Sequence, residues 1–152
     1  KETIPLSAHR FIPYPEEYAS DRMECTKCGH QFTVTPGDGS IFPKCPECQG
    51  YAKDGYNRGG YEWCIEHWGT KWGLYDVEAT CADFEYDRIG YTFRTAWSPP
   101  IPVIQAMSKQ YPSLTFALDY FEGGMGFMGS CEYENGQEVQ SGTAPYHGDR
   151  GG

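Results

Sequence analysis

The segment CTKCGHQFTVTPGDGSIFPKCPEC, residues 25–48, carries the most specific pattern in the chain. It contains two C-x-x-C pairs, Cys25 with Cys28 and Cys45 with Cys48, which are separated by 16 residues. This spacing is typical of a four-cysteine zinc site, because two intervening residues let both thiolates of a pair face one ion. The residues between the pairs predict a hairpin that brings the second pair round to the first.

We interpret the four cysteines as ligands of a structural Zn²⁺ ion. With every position filled by a thiolate the site is closed, whereas a catalytic zinc keeps one position open for water or substrate. The ion would replace a hydrophobic core that so small a unit cannot build. An iron centre or two disulfides are the alternatives that the spacing leaves open. Gly29 suits the positive φ often needed after the first pair, whereas Gln49 and Gly50 suit the second pair less well.

The chain has 152 residues, of which 39% are hydrophobic and 16% aromatic, and this composition predicts a soluble globular protein. The formal net charge is −9, and four thiolates with one Zn²⁺ would contribute about −2 more. Because nucleic-acid binding draws its affinity from basic side chains on phosphates, this charge argues against a nucleic-acid partner. No apolar run approaches the roughly 20 residues needed to cross a membrane.

The start of the sequence and its cysteine content bear on the cellular compartment. The chain begins with Lys1 and lacks the apolar stretch of a secretory signal, so we expect a fragment or a processed form. An odd total of 7 cysteines, four of them in C-x-x-C pairs, favours a reducing compartment and a metal. The predicted location is therefore the cytoplasm.

Composition divides the chain into four segments. These are a proline-punctuated lead (1–22), the zinc ribbon (23–52), a domain of mixed α and β pattern (53–140) and a tail predicted to be flexible (141–152). Within the mixed domain the predicted order is helix, strand, strand, helix, strand, strand, with a further short strand as a candidate at the end.

Local signals place these elements. The helix YEWCIEHW, residues 61–68, has apolar residues on one face and is expected to end at Gly69. The stretches LYDVEATCADFEYD and YTFRTAW alternate like the strands of a hairpin. Prolines between residues 99 and 102 open the second helix, which Pro112 ends.

The last predicted strands are LTFALDYFE, FMGSCEYE and a short QEVQ. Asn135 and Gly136 predict a two-residue turn between the second and third of these strands, because both residue types accept positive φ angles. The last residues, QSGTAPYHGDRGG, have no apolar pattern.

Two patterns resemble reactive sites but favour structural roles. Gly124, Gly126 and Gly129 have G-x-G-x-x-G spacing, but a strand follows them where a dinucleotide site needs the N-terminus of a helix. Cys64 and His67 share a helical face, yet Cys64 lies on the apolar side, where a free cysteine packs as a small hydrophobe. We predict no catalytic residue and no enzyme.

The stretches WGTKWGLYD and RTAWSPPIP contain a cluster of tryptophans. Tryptophan is costly to expose, and its N–H needs a partner when it is buried. The cluster therefore predicts either a core corner capped by proline or an aromatic-lined cleft. For the cleft, the candidate ligand-binding residues are Trp68, Lys71, Trp72, Trp97 and Ser98.

Three strings within residues 56–134 resemble the YubB-type ferredoxin-like domain family of phage- and plasmid-encoded proteins: YEWCIEHWGTKWGLYD, FRTAWSPPIPVI and YPSLTFALDYFEGGMGFMG. The resemblance implies an α+β ferredoxin-like sandwich, with two helices on one face of an antiparallel sheet, and a mobile-element origin. It implies no reaction and no catalytic residue. Family members begin with a further strand and helix, so the lead segment would be a remnant of that first strand and the zinc ribbon an insertion.

Charge, closed metal site and family habitat together predict a non-enzymatic binding protein. Its acidic surface would engage a host or phage protein and inhibit a host defence system. A small-ligand or nucleotide-binding protein that uses the tryptophan cleft is the second hypothesis. A nucleic-acid accessory factor is the third.

Overall fold

The chain has the α+β architecture that its sequence predicts. The computed structural model describes residues 6–35, 42–83 and 87–148. Within these ranges the helices are α1 (Ala8–Phe11), α2 (Gly60–Trp68) and α3 (Ile101–Gln110), and short 3-10 helices cover Glu16–Tyr18 and Tyr56–Arg58. The strands are β1 (Arg22–Cys25), β2 (Gln31–Thr33), β3 (Ala52–Asp54), β4 (Tyr75–Asp83), β5 (Arg88–Arg94), β6 (Thr115–Glu122), β7 (Phe127–Glu134) and β8 (Gln137–Pro145).

The first of two compact units is Tyr14–Cys64, and it contains a sheet with the strand order β2-β1-β3. Both strand pairings are antiparallel. The central strand buries Met23 and Cys25. Glu24, which lies between them, forms an ion pair with Arg58, with 3.1 Å between Glu24 Oε2 and Arg58 Nη1. The predicted hairpin turn between the cysteine pairs falls on residues 36–41, which lie outside the described residues.

The second unit comprises the described residues before Tyr14 and after Cys64, and its strands form two sheets. β4 and β5 make an antiparallel hairpin, and β6, β7 and β8 make an antiparallel sheet in that order. Among the described residues no strand joins β5 to β6.

Helix α3 covers one face of the β6-β7-β8 sheet and contacts all three strands. Its buried residues Val103, Ile104 and Met107 supply the helix side of this core. On the sheet side, Leu118 pairs with Cys131 in the register of β6 and β7, and both are buried. Because side chains alternate along a strand, the neighbours of these residues point to the opposite face.

Several local predictions are confirmed. Helix α2 ends at Trp68, and Gly69 follows with φ +75°, a left-handed conformation that glycine adopts without a Cβ clash. Asn135 and Gly136 have φ +47° and +76°, so the turn between β7 and β8 is of type I′. Strand β8 is longer than predicted: it continues to Pro145, into the segment expected to be flexible, because it pairs with β7 along its length.

Candidate functional site

The four predicted cysteine ligands lie together in the first unit. The Sγ atoms of Cys25 and Cys48 are 3.5 Å apart, those of Cys28 and Cys45 are 3.7 Å apart, and all four lie within 4.8 Å of one another. A tetrahedral Zn²⁺ with bonds of about 2.3 Å to sulfur would place its ligands about 3.8 Å apart. The four residues therefore fit one metal ion, and all four are free thiols.

The two cysteine pairs have the same backbone structure. In the first, the amide of Cys25 donates to the carbonyl of His30, and the amide of Gly29 donates back to Cys25, both at 2.9 Å. In the second, Cys45 donates to Gly50 and Gln49 donates back to Cys45, also at 2.9 Å. Each pair is thus a knuckle that presents two sulfurs to the same point.

The left-handed residue of each knuckle follows its second cysteine. It is Gly29 in the first knuckle, with φ +73°, and Gln49 in the second, with φ +57°. A residue with a side chain pays a steric cost in this region that glycine does not. Gly50 stands at the next position, where an added Cβ would lie 3.2 Å from the Sγ atoms of Cys25 and Cys48. Its missing side chain therefore makes room for the sulfurs.

The sulfur cluster favours a cation. Hydrogen bonds from the amides of Cys28 and Lys27 lower the pKa of Cys25 to about 6. The amide of His30 lowers the pKa of Cys28, but its sulfur neighbours, Cys48 first, and burial outweigh this and raise that pKa to about 12. Cys25 therefore ionises readily, whereas hydrogen bonds with the neighbouring sulfurs keep the proton on Cys28. A metal ion would displace the protons that remain on the sulfurs and neutralise the resulting thiolates.

The structure separates the five predicted ligand-binding residues into two groups. Trp68 is 6% exposed, and its indole N–H donates to the carbonyl of Ile12 at 2.9 Å. Ser98 donates its hydroxyl to the carbonyl of Gly69. Both of these side chains therefore belong to the packed corner that was the alternative to a cleft. Lys71, Trp72 and Trp97 face solvent in part and form what we call the Lys–Trp cluster.

Within the Lys–Trp cluster, a cation lies against two aromatic rings. The Nζ atom of Lys71 is 4.3 Å from the ring centroid of Trp97 and 5.2 Å from that of Trp72. These distances are typical of cation–π contacts. Trp97 is 68% exposed and Trp72 is 43% exposed, so both indoles offer surface to solvent.

The other patterns from the sequence have structural places. Cys64 is 2% exposed, and burial raises the pKa of its thiol to about 11, which keeps it protonated and unreactive at neutral pH. Gly124 and Gly126 lie at the turn between β6 and β7, and Gly129 lies within β7. An added Cβ at Gly129 would lie 2.4 Å from the hydroxyl oxygen of Tyr120, so this glycine makes room for a neighbouring side chain.

An acidic surface that the sequence reasoning did not assign to residues lies on the β6-β7-β8 sheet, opposite α3. We call it the outer face. In the strand register Ala117 pairs with Glu132, and Asp119 pairs with Ser130. The small side chains leave a depression of about 160 Å³ between the two carboxylates, with Gln140 of β8 at its edge. From the alternation of side chains in LTFALDYFE, the sequence could have predicted that Asp119 lies on the face opposite Leu118. That Glu132 lies on the same face near Asp119 follows only from the cross-strand register of β6 and β7.

In the part of the chain that is described, no helix has the length and apolar character needed to span a membrane. The search of curated proteins and the search of solved structures returned no match. A family model described as the ferredoxin-like domain in Api92-like protein matches residues 67–149, which is more than half of the chain. The match begins at the end of α2 and takes in the Lys–Trp cluster and the outer face, and the chain therefore belongs to this ferredoxin-like family.

Proposed function

We propose that the chain is a non-enzymatic binding protein that recognises a basic partner protein through its outer face. The observation that carries this proposal is the acidic depression between Asp119 and Glu132 on an exposed sheet. Glu134 extends the acidic area, because it follows Glu132 by two residues on β7 and is exposed. A net charge of −9 strengthens long-range attraction to a basic partner and speeds its association.

The outer face also has an apolar end suited to a protein contact. Phe121 is 66% exposed and Met128 is 42% exposed, and the two residues pair across β6 and β7. The ring of Phe121 stacks on that of Tyr146 at a centroid distance of 4.9 Å. An aromatic and methionine contact beside a charged rim is the usual composition of a protein–protein interface.

We further propose that the ion held by the four cysteines is zinc and that its role is structural. Tetrahedral all-thiolate sites are typical of structural zinc, and such a site has no open position for a substrate. The ribbon would then be a rigid unit that needs its ion to fold.

The non-enzymatic part of the proposal is supported by what the reactive groups do. The buried Cys64 has a raised pKa, the knuckle sulfurs point at one another, and the glycines of the G-x-G-x-x-G pattern serve a turn and a strand. Each of these groups therefore has a structural role, which favours a protein without a catalytic centre.

The biological setting is proposed from the resemblance of the sequence. We place the chain among YubB-type proteins of phages and plasmids, acting in the host cytoplasm. A mobile element gains from a small acidic protein that binds and inhibits a basic component of a host defence system. The partner would then be a host protein or a phage protein.

Affinity capture with charge-matched variants tests the main proposal. The outer-face variant Asp119→Asn/Glu132→Gln/Glu134→Gln removes three charges, and the control Glu16→Gln/Glu17→Gln/Glu66→Gln removes three exposed charges elsewhere. We expect the wild type and the control to capture the same basic protein from host lysate, and the outer-face variant to lose it. The purified partner should then bind more weakly as salt rises. Equal capture by all three proteins would overturn the proposal.

A further inference from the structure

The Lys–Trp cluster is built on two loops that hydrogen bonds fix in place. The hydroxyl of Ser98 donates to the carbonyl of Gly69, and that of Thr95 donates to the carbonyl of Ser98 at 2.8 Å. On the other loop, Thr70 is 1% exposed and donates its hydroxyl to the carbonyl of Trp72. One hydrogen bond thus joins the two loops that carry the exposed indoles, and each loop also has a hydrogen bond within it.

This framework holds Trp97 in an unfavourable state. Its φ angle is +72°, a region that residues with side chains rarely adopt, and 68% of its surface is exposed. Strained backbone and an exposed indole both cost free energy, and the fold keeps both. Such combinations concentrate at binding sites, where the strain orients a side chain for a ligand.

Lys71 places a positive charge next to the exposed indole of Trp97. Its ammonium lies over one face of the Trp97 ring, so the exposed surface of that indole is at its other face and its edges. A planar group can stack on the open face while an anionic group of the same ligand reaches the ammonium at the ring edge. Stacking on an indole and pairing with a lysine are the two interactions that a nucleotide offers, through its base and its phosphate.

We propose that Lys71, Trp72 and Trp97 form a binding site for a free nucleotide. Trp97 stacks on the base, Lys71 binds the phosphate, and Trp72, whose ring centroid lies 5.2 Å from the Lys71 ammonium, helps to hold the lysine in place. A free nucleotide fits better than a nucleic-acid chain, because a protein of net charge −9 repels the continuous phosphate backbone but needs only one lysine for one phosphate group.

This site is separate from the outer face and does not rest on the proposed protein-binding function. The two use different residues, so variants of one leave the other in place. Failure of the nucleotide experiment therefore does not affect the protein-capture experiment, and the reverse also holds.

Titration of the full chain with nucleotides tests the proposal. The probes are the mono-, di- and triphosphates of the common ribonucleosides, with free nucleosides and inorganic phosphate as separate arms. Tryptophan fluorescence and thermal shift report binding. We expect a nucleotide to quench fluorescence and raise the melting temperature, its nucleoside to bind more weakly, and inorganic phosphate alone to do neither.

Variants assign the binding to the cluster. Removing a stacking aromatic weakens binding of a base by about 5- to 150-fold, which is the effect expected for Trp97→Gly. This variant also relieves the strained φ, so it should fold at least as well as the wild type. Lys71→Met should reduce nucleotide affinity to that of the nucleoside. Trp97→Phe should retain most binding, and Phe121→Ala, an exposed aromatic on the outer face, should retain all of it.

Two outcomes would overturn the proposal. One is the absence of quenching and thermal shift with every nucleotide at millimolar concentration. The other is equal nucleotide affinity of the wild type, Trp97→Gly and Lys71→Met, which would place the binding elsewhere on the chain.

Discussion

The hydroxyl of Ser108 in α3 accepts a hydrogen bond from the backbone amide of Gly136, at 3.0 Å, in the turn between β7 and β8. Ser108 is fully buried, and its own hydroxyl donates to the carbonyl of Gln105. The side chain of Gln105 in turn donates to the carbonyl of Gly136 at 2.9 Å. Helix α3 therefore holds both polar groups of the glycine in this turn, as well as packing on the sheet.

Replacing Ser108 with alanine should destabilise the second unit by about 1–3 kcal/mol, because it leaves the buried amide of Gly136 without an acceptor. Urea unfolding measures this loss. The control is Ser113→Ala, an exposed serine, which should stay within about 0.5 kcal/mol of the wild type. Similar stability of the two variants would mean that the amide finds another partner.

Gln49→Gly should stabilise the metal-loaded ribbon by about 1 kcal/mol, because glycine relieves the left-handed strain at φ +57°. The reciprocal change, Gly29→Ala, should cost about 1 kcal/mol. An added Cβ at Gly29 meets no atom within 4 Å, so that cost is one of backbone conformation alone. Chelator-induced unfolding compares the two variants with the wild type. Changes of the same sign in both would contradict the equivalence of the two knuckles.

Removing the metal should unfold the ribbon. Structural zinc contributes about 10–16 kcal/mol of apparent binding free energy in small four-ligand domains, more than such a unit can replace. Metal analysis should find one zinc per chain for the wild type and for Cys131→Ala, and none for Cys45→Ser. Hydrogen exchange in Cys45→Ser should show lost protection in β1 and β3 and retained protection in β7. Native protection of β1 without metal would refute a structural role.

The stability of the chain should fall at alkaline pH because of Cys64. Burial raises the folded pKa of this thiol to about 11, whereas an exposed cysteine titrates near 8.5. The protonated thiol therefore makes its full contribution to the free energy of unfolding below about pH 8.5. This contribution is lost as the pH rises toward 11, because Cys64 ionises at a lower pH in the unfolded chain than in the folded one. Cys64→Ala removes the effect.

The measurement is a set of urea unfolding curves from pH 7 to pH 11 for the wild type and Cys64→Ala. The difference in unfolding free energy between the two should be constant below about pH 8.5 and should shrink above it. Ionising groups that do not interact with Cys64 are common to both proteins and cancel in the difference, whereas Tyr14 and Tyr56, whose pKa values burial and then the Cys64 charge raise, contribute to it above about pH 10. A difference that does not change with pH would show that the thiol ionises equally in the folded and unfolded chains.

Local sequence signals predicted much of the fold. The C-x-x-C pairs, Gly69 after α2 and the Asn135–Gly136 turn each depend on a few neighbouring residues, and all appear in the structure. It was harder to predict from the sequence which residue of the second knuckle adopts the left-handed conformation. Gln49 adopts this conformation against its own preference, because the knuckle hydrogen bonds around Cys45 require it.

The candidate sites were only partly predictable, because they depend on long-range contacts. Trp68, Trp72 and Trp97 look alike in the sequence, and their burial separates them only in the fold. One available signal was the position of Trp68 on the apolar face of a helix, whereas the other two stand in loops rich in glycine or proline. The outer face depends on the pairing of β6 with β7, which no short segment encodes.

The sulfur cluster has an inner side and a side that water reaches. Cys25 and Cys45 are 2% and 0% exposed, whereas Cys28 is exposed and Cys48 is half-buried. If the cluster holds an ion, an incoming thiophilic ion or a thiol-rich carrier would therefore meet the outer pair first, while the inner pair still binds that ion. Exchange by this associative route would require no unfolding, so we expect a metal-loaded ribbon to exchange its ion faster than it releases it.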